Sequence, residues 1–280
     1  MRTVEASLIT ERVKDACIKA CTDLPKDVLD ALRRAREVEE SPAGLAVLDE
    51  LVENAEIARS EQVPICQDTG LALVLVEIGQ DVHIAGGGLT DAINEGVRQG
   101  YEEGYLRKSV VRHPLDRTNT GDNTPAVIHT EIVPGDRLHI TVAPKGGGSE
   151  NMSAAKSLPP SAGVAGIKES VVETVKNAGP NACPPLIVGV GIGGTLDKAA
   201  LLSKKAMLRP VGLPSENECD AMLERELLEA VNATGVGPAG LGGRVTALAV
   251  HVESFACHIA SLPVAVTLQC HAARHVTFEL

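Results

Sequence analysis

Aromatic side chains are almost missing from this chain of 280 residues: it has no tryptophan, two tyrosines and two phenylalanines. Its core must therefore be assembled from Val, Ile, Leu and Ala. No stretch is apolar for the length of a membrane span, and residues 1–20 mix acids and bases where a signal peptide would be apolar. The expected location is cytoplasmic. An excess of positive charge is lacking as well, since 26 basic residues face 37 acidic ones for a net charge of −11. A generic nucleic-acid or anionic-membrane surface is thereby disfavoured, because polyphosphate is repelled at long range. A small anionic substrate is still compatible, given a local cluster of Arg or Lys. Paired CxxC cysteines are absent too. Seven cysteines, an odd number, in a reducing compartment read as free thiols, metal ligands or catalytic groups rather than disulfides.

What is present is an ordinary globular balance, 44% hydrophobic and 22% charged, which argues against disorder. Glycine, at 27 residues, is concentrated in runs, which suggests backbone packed close to something. Residues 3 to 60 read as helical, with Ser41-Pro42 a good helix start. Leu71 to Ile78 reads as a buried strand and 90 to 104 as a helix. Ala126 to Val133 and Arg137 to Ala143, joined by Pro134-Gly135, suggest a hairpin. Helices are expected over 161–178 and 195–208, with a strand over 185–190 between them. Ser215 to Glu218 reads as a capping box opening a helix to about Asn232, stopped by Gly235. The expected fold class is α+β: one helix-rich unit, residues 1–280, with small, largely antiparallel β-sheet elements.

Three cysteines sit at loop–strand junctions, where a rigid element fixes an otherwise mobile side chain. Cys66 lies in Pro-Ile-Cys-Gln-Asp-Thr-Gly, Cys183 in Asn-Ala-Cys-Pro-Pro and Cys270 in Leu-Gln-Cys-His-Ala-Ala-Arg. Three thiolates could hold an iron–sulfur cluster and leave one iron open as a Lewis acid; the competing reading is three small buried hydrophobes. Cys17 and Cys21 share a helix face, and Cys219 and Cys257 read as structural. A second candidate is Ile187 to Gly194, which matches GxGxxG at Gly189, Gly191 and Gly194 between a strand and a helix. That is a dinucleotide fingerprint without a convincing second strand bearing a terminal acid. A third glycine run, Lys145 to Ser149, offers bare amides beside a lysine and suits an anion, or is a flexible strand exit. Arg107 and Arg112 form a basic patch that reads first as solvated surface. His258 and Asp68 are each either structural or proton-exchanging groups.

Taken together, five segments in order resemble the iron–sulfur (class I) fumarases, specifically the α subunit of the two-subunit form, with the L-tartrate dehydratase α subunit as close relative. They are Cys66-Gln-Asp-Thr-Gly70, Lys145-Gly-Gly-Gly-Ser149, Ala182-Cys-Pro-Pro185, Ile192-Gly-Gly-Thr195 and Leu268-Gln-Cys-His271. The resemblance covers the chain from about residue 10 to its end and accounts for the Gly189 region without a nucleotide. It implies a [4Fe–4S] cluster on Cys66, Cys183 and Cys270, with the fourth iron open to substrate. It implies that Gln67 and Asp68 face the substrate, that Arg107 binds a carboxylate, that Gly148 offers backbone, and that His258 lies near the reacting carbons. The reaction implied is reversible trans addition of water to a dicarboxylic alkene, fumarate to L-malate, or tartrate to oxaloacetate in the related enzyme. In the family a second, C-terminal domain supplies Arg, Lys and Thr residues. The chain ends ten residues after Cys270, so that domain is expected as a separate β subunit in an α2β2 assembly.

Overall fold

The computed structural model describes residues 2–280. In chain order the elements are β1 (Arg2–Glu5), α1 (Ala6–Thr22), α2 (Lys26–Val38), α3 (Pro42–Glu61), β2 (Leu71–Gly79), β3 (Val82–Ala85) and α4 (Leu89–Glu103). There follow β4 (Val127–Val133), β5 (Leu138–Lys145), the single turn α5 (Gly147–Asn151), β6 (Ala154–Leu158), α6 (Gly163–Ala178) and β7 (Leu186–Gly193). The chain closes with α7 (Leu196–Ala206), α8 (Glu218–Asn232), β8 (Ala247–Phe255), β9 (Leu262–Gln269) and β10 (Val276–Glu279). The α+β class holds. The described residues form two compact units: unit 1 comprises residues 2–24, Ala55–Gly147 and Arg274–Leu280, and unit 2 comprises Pro25–Asn54 and Gly148–Ala273. Among the described residues four strand pairings are antiparallel and three parallel, so the two four-stranded sheets are mixed. No helix of the described residues is long and apolar enough to cross a membrane.

Unit 1 carries a four-stranded sheet in the order β10-β5-β2-β4. The run Leu71-Ala-Leu-Val-Leu-Val makes β2 a central strand, because apolar residues on both faces can be covered only from both sides. Helix α1 repeats Ile9, Val13, Ala16, Cys17, Ala20 and Cys21 at helical spacing, all buried. With Val74, Val76, Ile93, Val97, Tyr101, Leu138 and Ile140, the residues Ile9, Val13, Ala16, Cys17 and Cys21 form one core. The expected hairpin of 126–143 is not formed. β4 pairs with β2 in parallel and β5 pairs with β2 antiparallel, so β2 lies between them. Gly79 N–H donates to the Arg137 carbonyl and Gln80 N–H to the Val133 carbonyl, each at 2.8 Å, so the end of β2 fills the mouth of the would-be hairpin. Residues 3–5, expected as part of a helix, belong to strand β1, which runs parallel to β3.

Unit 2 carries a second sheet, order β6-β9-β7-β8, whose core joins Val171, Val175, Val188, Val190, Leu227, Val231, Val250, Val252, Val266 and Leu268. Glycine in β7 explains how α7 packs here. A Cβ on Gly191 would lie 1.9 Å from the Ala199 carbonyl oxygen, and one on Gly189 2.1 Å from that of Ser203. These glycines therefore sit inside the strand as the contact face for α7, and the dinucleotide reading of the run falls. Helix α8 begins later than the capping-box reading has it. Asn217 is the N-cap, its Oδ1 accepting from the amides of Cys219 (2.9 Å) and Asp220 (3.3 Å), while Ser215 Oγ accepts from Asn217 N–H.

Candidate functional site

The loop from α3 to β2 carries Cys66, Gln67 and Asp68 and is fixed from several sides within unit 1. Its start is tied by Ile65 N–H to the Cys21 carbonyl on α1 at 2.9 Å. Asp68 Oδ1 accepts from Gly70 N–H at 2.9 Å and Oδ2 from Gly147 N–H at 2.8 Å. The buried Tyr101 hydroxyl donates toward the carbonyls of Thr69 and Gly70 at 2.8 and 3.0 Å. Asn123, also buried, donates to the Gly70 carbonyl at 3.2 Å and accepts from the amides of Ser109 and Val110. Thr69 Oγ1 donates to the Arg107 carbonyl at 3.0 Å, which places the Arg107 backbone against the same loop. Gly70 has φ +72°, and a Cβ there would meet the Lys145 backbone at 2.6 Å, so only glycine closes this turn onto β5. The backbone is held while Gln67 and Arg107 are exposed and Cys66 and Asp68 half-exposed. Cys66 Sγ lies 3.4 Å from Gln67 Oε1.

Unit 2 brings Cys183 and Cys270 to one end of its sheet. β7 begins just after Cys183 and β9 ends just before Cys270, and their antiparallel register sets Ile187 opposite Gln269. His271 N–H donates to the Cys183 carbonyl at 3.2 Å, joining the two segments directly. Cys183 has φ +53°, a left-handed conformation uncommon for a residue with a side chain. Gly148 is exposed on α5, where a Cβ would come within 3.2 Å of the Asn181 carbonyl oxygen.

His258 is not brought to these cysteines. It lies between the end of β8 and the start of β9, at the opposite end of the same sheet. The register runs from Ile192 opposite Val264 to Ile187 opposite Gln269, five residue steps that span roughly 16 Å at the usual strand rise. There His258 is exposed, and its Nδ1 accepts from Ala260 N–H at 3.1 Å. Cys257 beside it and Cys219 are exposed rather than packed in a core. Cys17 and Cys21, on one face of α1, are buried. Burial pushes both thiols up, Cys21 to about 11, against a downward pull from Arg274 and with Cys66 and Asp68 adding to the rise.

Arg274, in the same Cys-His-Ala-Ala-Arg segment as Cys270, is not marked by sequence reasoning. Its Nη2 donates to the Asp68 carbonyl, and its Nε and Nη1 are buried with no hydrogen-bond partner. Gln269 Oε1, next to Cys270 in sequence, is likewise buried and unpartnered. A lone arginine in a sequence gives no periodic signal; Tyr101 and Asn123, which brace the loop, are missed for the same reason.

None of the seven cysteines is in a disulfide. Cys66 in unit 1 and Cys183 and Cys270 in unit 2 are half or fully exposed on anchored loops, and thiolate is a donor suited to iron. Among the described residues no three His, Cys, Asp or Glu side chains converge tightly enough to share one ion. Thiolates are the donors that iron–sulfur clusters take, and on separate irons of a cluster they stand farther apart than the ligands of a single ion.

A family model described as "Fumarate hydratase (Fumerase)" matches residues 10–279. A Methanocaldococcus jannaschii protein, provisionally named L(+)-tartrate dehydratase subunit alpha, is 45% identical over 272 residues, 95% of each chain. The L(+)-tartrate dehydratase subunit alpha of Escherichia coli K12 is 36% identical over 273 residues, covering 96% of this chain and 89% of the relative.

Proposed function

The chain belongs to the fumarate hydratase (Fumerase) family, and from that membership we propose that it is the cluster-carrying α subunit of an iron–sulfur hydro-lyase acting on a small dicarboxylate. The observation that carries the reading is the Cys66–Gly70 loop: its backbone is clamped by Tyr101, Asn123 and Arg274 and its Asp68 carboxylate by Gly147, yet Gln67 is left exposed and Cys66 half-exposed. A structural loop has no need of so many anchors around side chains that face solvent.

Cys66, Cys183 and Cys270 would hold a [4Fe–4S] cluster, which when bound supplies a Lewis acid toward a substrate oxygen. The chain's own groups then bind and orient. Arg107 offers an exposed guanidinium that can take a carboxylate through two parallel N–H bonds. Gln67 adds an amide that can donate to a second oxygen, and Gly148 an exposed stretch of backbone. Asp68 is set by two backbone donors, so its remaining lone pairs point in a fixed direction and can accept a hydrogen bond or proton from a substrate hydroxyl. His258 is not assigned to the Cys183–Cys270 end of its own chain. Fumarate and L-malate are the first substrate pair, on the family description; L-tartrate is the second reading, favoured by the names of the relatives.

Those relatives are named α subunits, which supports a separate β subunit as partner, in an α2β2 assembly, with cationic groups that this chain at −11 does not abound in. The test begins with iron and acid-labile sulfide after anaerobic reconstitution of wild type and Cys66→Ser. Wild type should bind roughly four of each per chain, and the variant should lose them together with at least a hundredfold of hydratase activity measured with the partner present. Absence of iron from wild type would overturn the reading. Rates on fumarate and L-tartrate then separate the two substrates, and α subunit alone matching the α plus β mixture would remove the need for a partner.

A further inference from the structure

Among the fully buried side chains Arg274 is the largest, at 2% exposure. A guanidinium has five N–H donors and keeps its charge at every pH at which proteins stay folded. Here one nitrogen, Nη2, reaches the Asp68 carbonyl, while Nε and Nη1 have no partner. The Asp68 carboxylate is already engaged by the amides of Gly70 and Gly147. The Cys21 thiol and the Tyr101 hydroxyl also feel the guanidinium's charge, and both are pushed up chiefly by burial and so neutral. Arg274 also forms no salt bridge among the described residues. Enclosing a charge without a counter-charge is among the costliest arrangements in a fold, and a cheaper apolar side chain of similar length would fill the same space. The single hydrogen bond it does make lands on the loop two residues beyond Cys66.

We propose that Arg274 is a positioning residue whose uncompensated charge is matched only when the cluster is present: it fixes the Cys66–Asp68 loop and electrostatically stabilises the anionic cluster that Cys66 ligates. This rests on the cluster reading above. Three thiolates on a [4Fe–4S] core of charge +2 leave a net charge of −1, and one further electron makes it −2. A fixed cation in a low-dielectric interior lowers the free energy of both forms, and of the second more. Because Nε and Nη1 are closed off, the effect is exerted by charge through the protein rather than by a ligand touching those atoms.

The experiment uses the full chain with its partner subunit, as Arg274→Met, Arg274→Lys and wild type. It reads thermal stability of the metal-free protein, iron content after anaerobic reconstitution, and the cluster's reduction potential by electron paramagnetic resonance. Metal-free Arg274→Met is expected to melt at or above the wild-type temperature, because it no longer encloses an unmatched charge. Its cluster should be lost sooner on exposure to air, or, where retained, should show a reduction equilibrium shifted about tenfold toward the oxidised form, which is about 59 mV for one electron. Arg274→Lys should restore most of that shift. A large fall in the melting temperature of metal-free Arg274→Met would make Arg274 a structural brace and overturn the proposal. So would a wild-type potential in Arg274→Met, or a lysine variant that behaves as methionine does. Wild type without iron overturns the proposed function, and this inference with it; a loaded wild type with unaltered variants overturns this inference alone.

Discussion

In unit 2, Arg209 and Glu224 are 12% and 7% exposed, and both are fully engaged. Arg209 Nη1 meets Glu224 Oε1 at 2.6 Å, and its Nη2 reaches Glu253 at 2.9 Å and the Val252 carbonyl at 2.6 Å. Glu224 also accepts from the amides of Val252 and Ser215. Glu39, 6% exposed, accepts from the amides of Glu40, Ser41, Arg244 and Val245. Burial alone would raise its carboxyl, but those backbone donors outweigh it and hold it low. In unit 1 the buried Arg274 has one backbone acceptor and nothing more. A charge that serves only the fold is surrounded by partners, as in unit 2. A charge kept without them points to a partner that is not part of the polypeptide.

That contrast can be broken most readily at Arg209. Arg209→Met strands the buried Glu224 carboxylate and should cost about 3–5 kcal/mol, read from urea unfolding of the metal-free chain. Methionine at 274 should cost little or nothing by the same method. Equal losses at both positions would erase the distinction between the two units.

A smaller effect concerns acid stability. His251 is buried, with Nδ1 3.1 Å from the Ala206 carbonyl oxygen. Burial first, and then the Arg209 charge, lower its pKa to about 4. Between pH 6.5 and 4 the unfolded chain takes up a proton that the folded one refuses, so its contribution is complete above 6.5 and lost as pH falls through that window. The loss is on the order of 3 kcal/mol. His251→Gln should flatten the stability profile between pH 6.5 and 4, and a profile unchanged by the substitution would refute the assignment. The smallest effect is at the start of α8, where Asn217→Ala should cost about 1 kcal/mol in thermal unfolding. Ser215→Ala should cost less, because Ser215 caps the loop residue Asn217 rather than the helix.

Much of the secondary structure was legible in the sequence because it is local. The Ser41-Pro42 start of α3, the apolar run of β2 and the glycine after α8 each carry their own signal. Strand partners were not legible: Ala126 to Ala143 has every mark of a hairpin, and only the sheet reveals that β2 takes the place between its arms. The three cysteines stood out as junction residues, and the fold supports Cys183 and Cys270 at one sheet end. His258 looked equivalent by its distance along the chain from Cys270. An antiparallel strand separates residues in space by its whole length, however, and β9 carries His258 to the other end. Arg274 was invisible in the opposite way, since burial and the absence of partners are properties of three dimensions.

By itself, then, the sequence determined most of the helices and the strands β2, β4, β5 and β7, which cysteines sit on loops before or after strands, and, through ordered motifs, the family. Those features are written in spacing and residue type, which act over a few neighbours. Tertiary structure decided which strands pair, which glycines are contact faces rather than ligand loops, where His258 lies, and that Arg274 is enclosed without a counter-charge. These depend on which distant segments meet, and pairing and burial are settled by the free energy of the packed units rather than by any local stretch of chain.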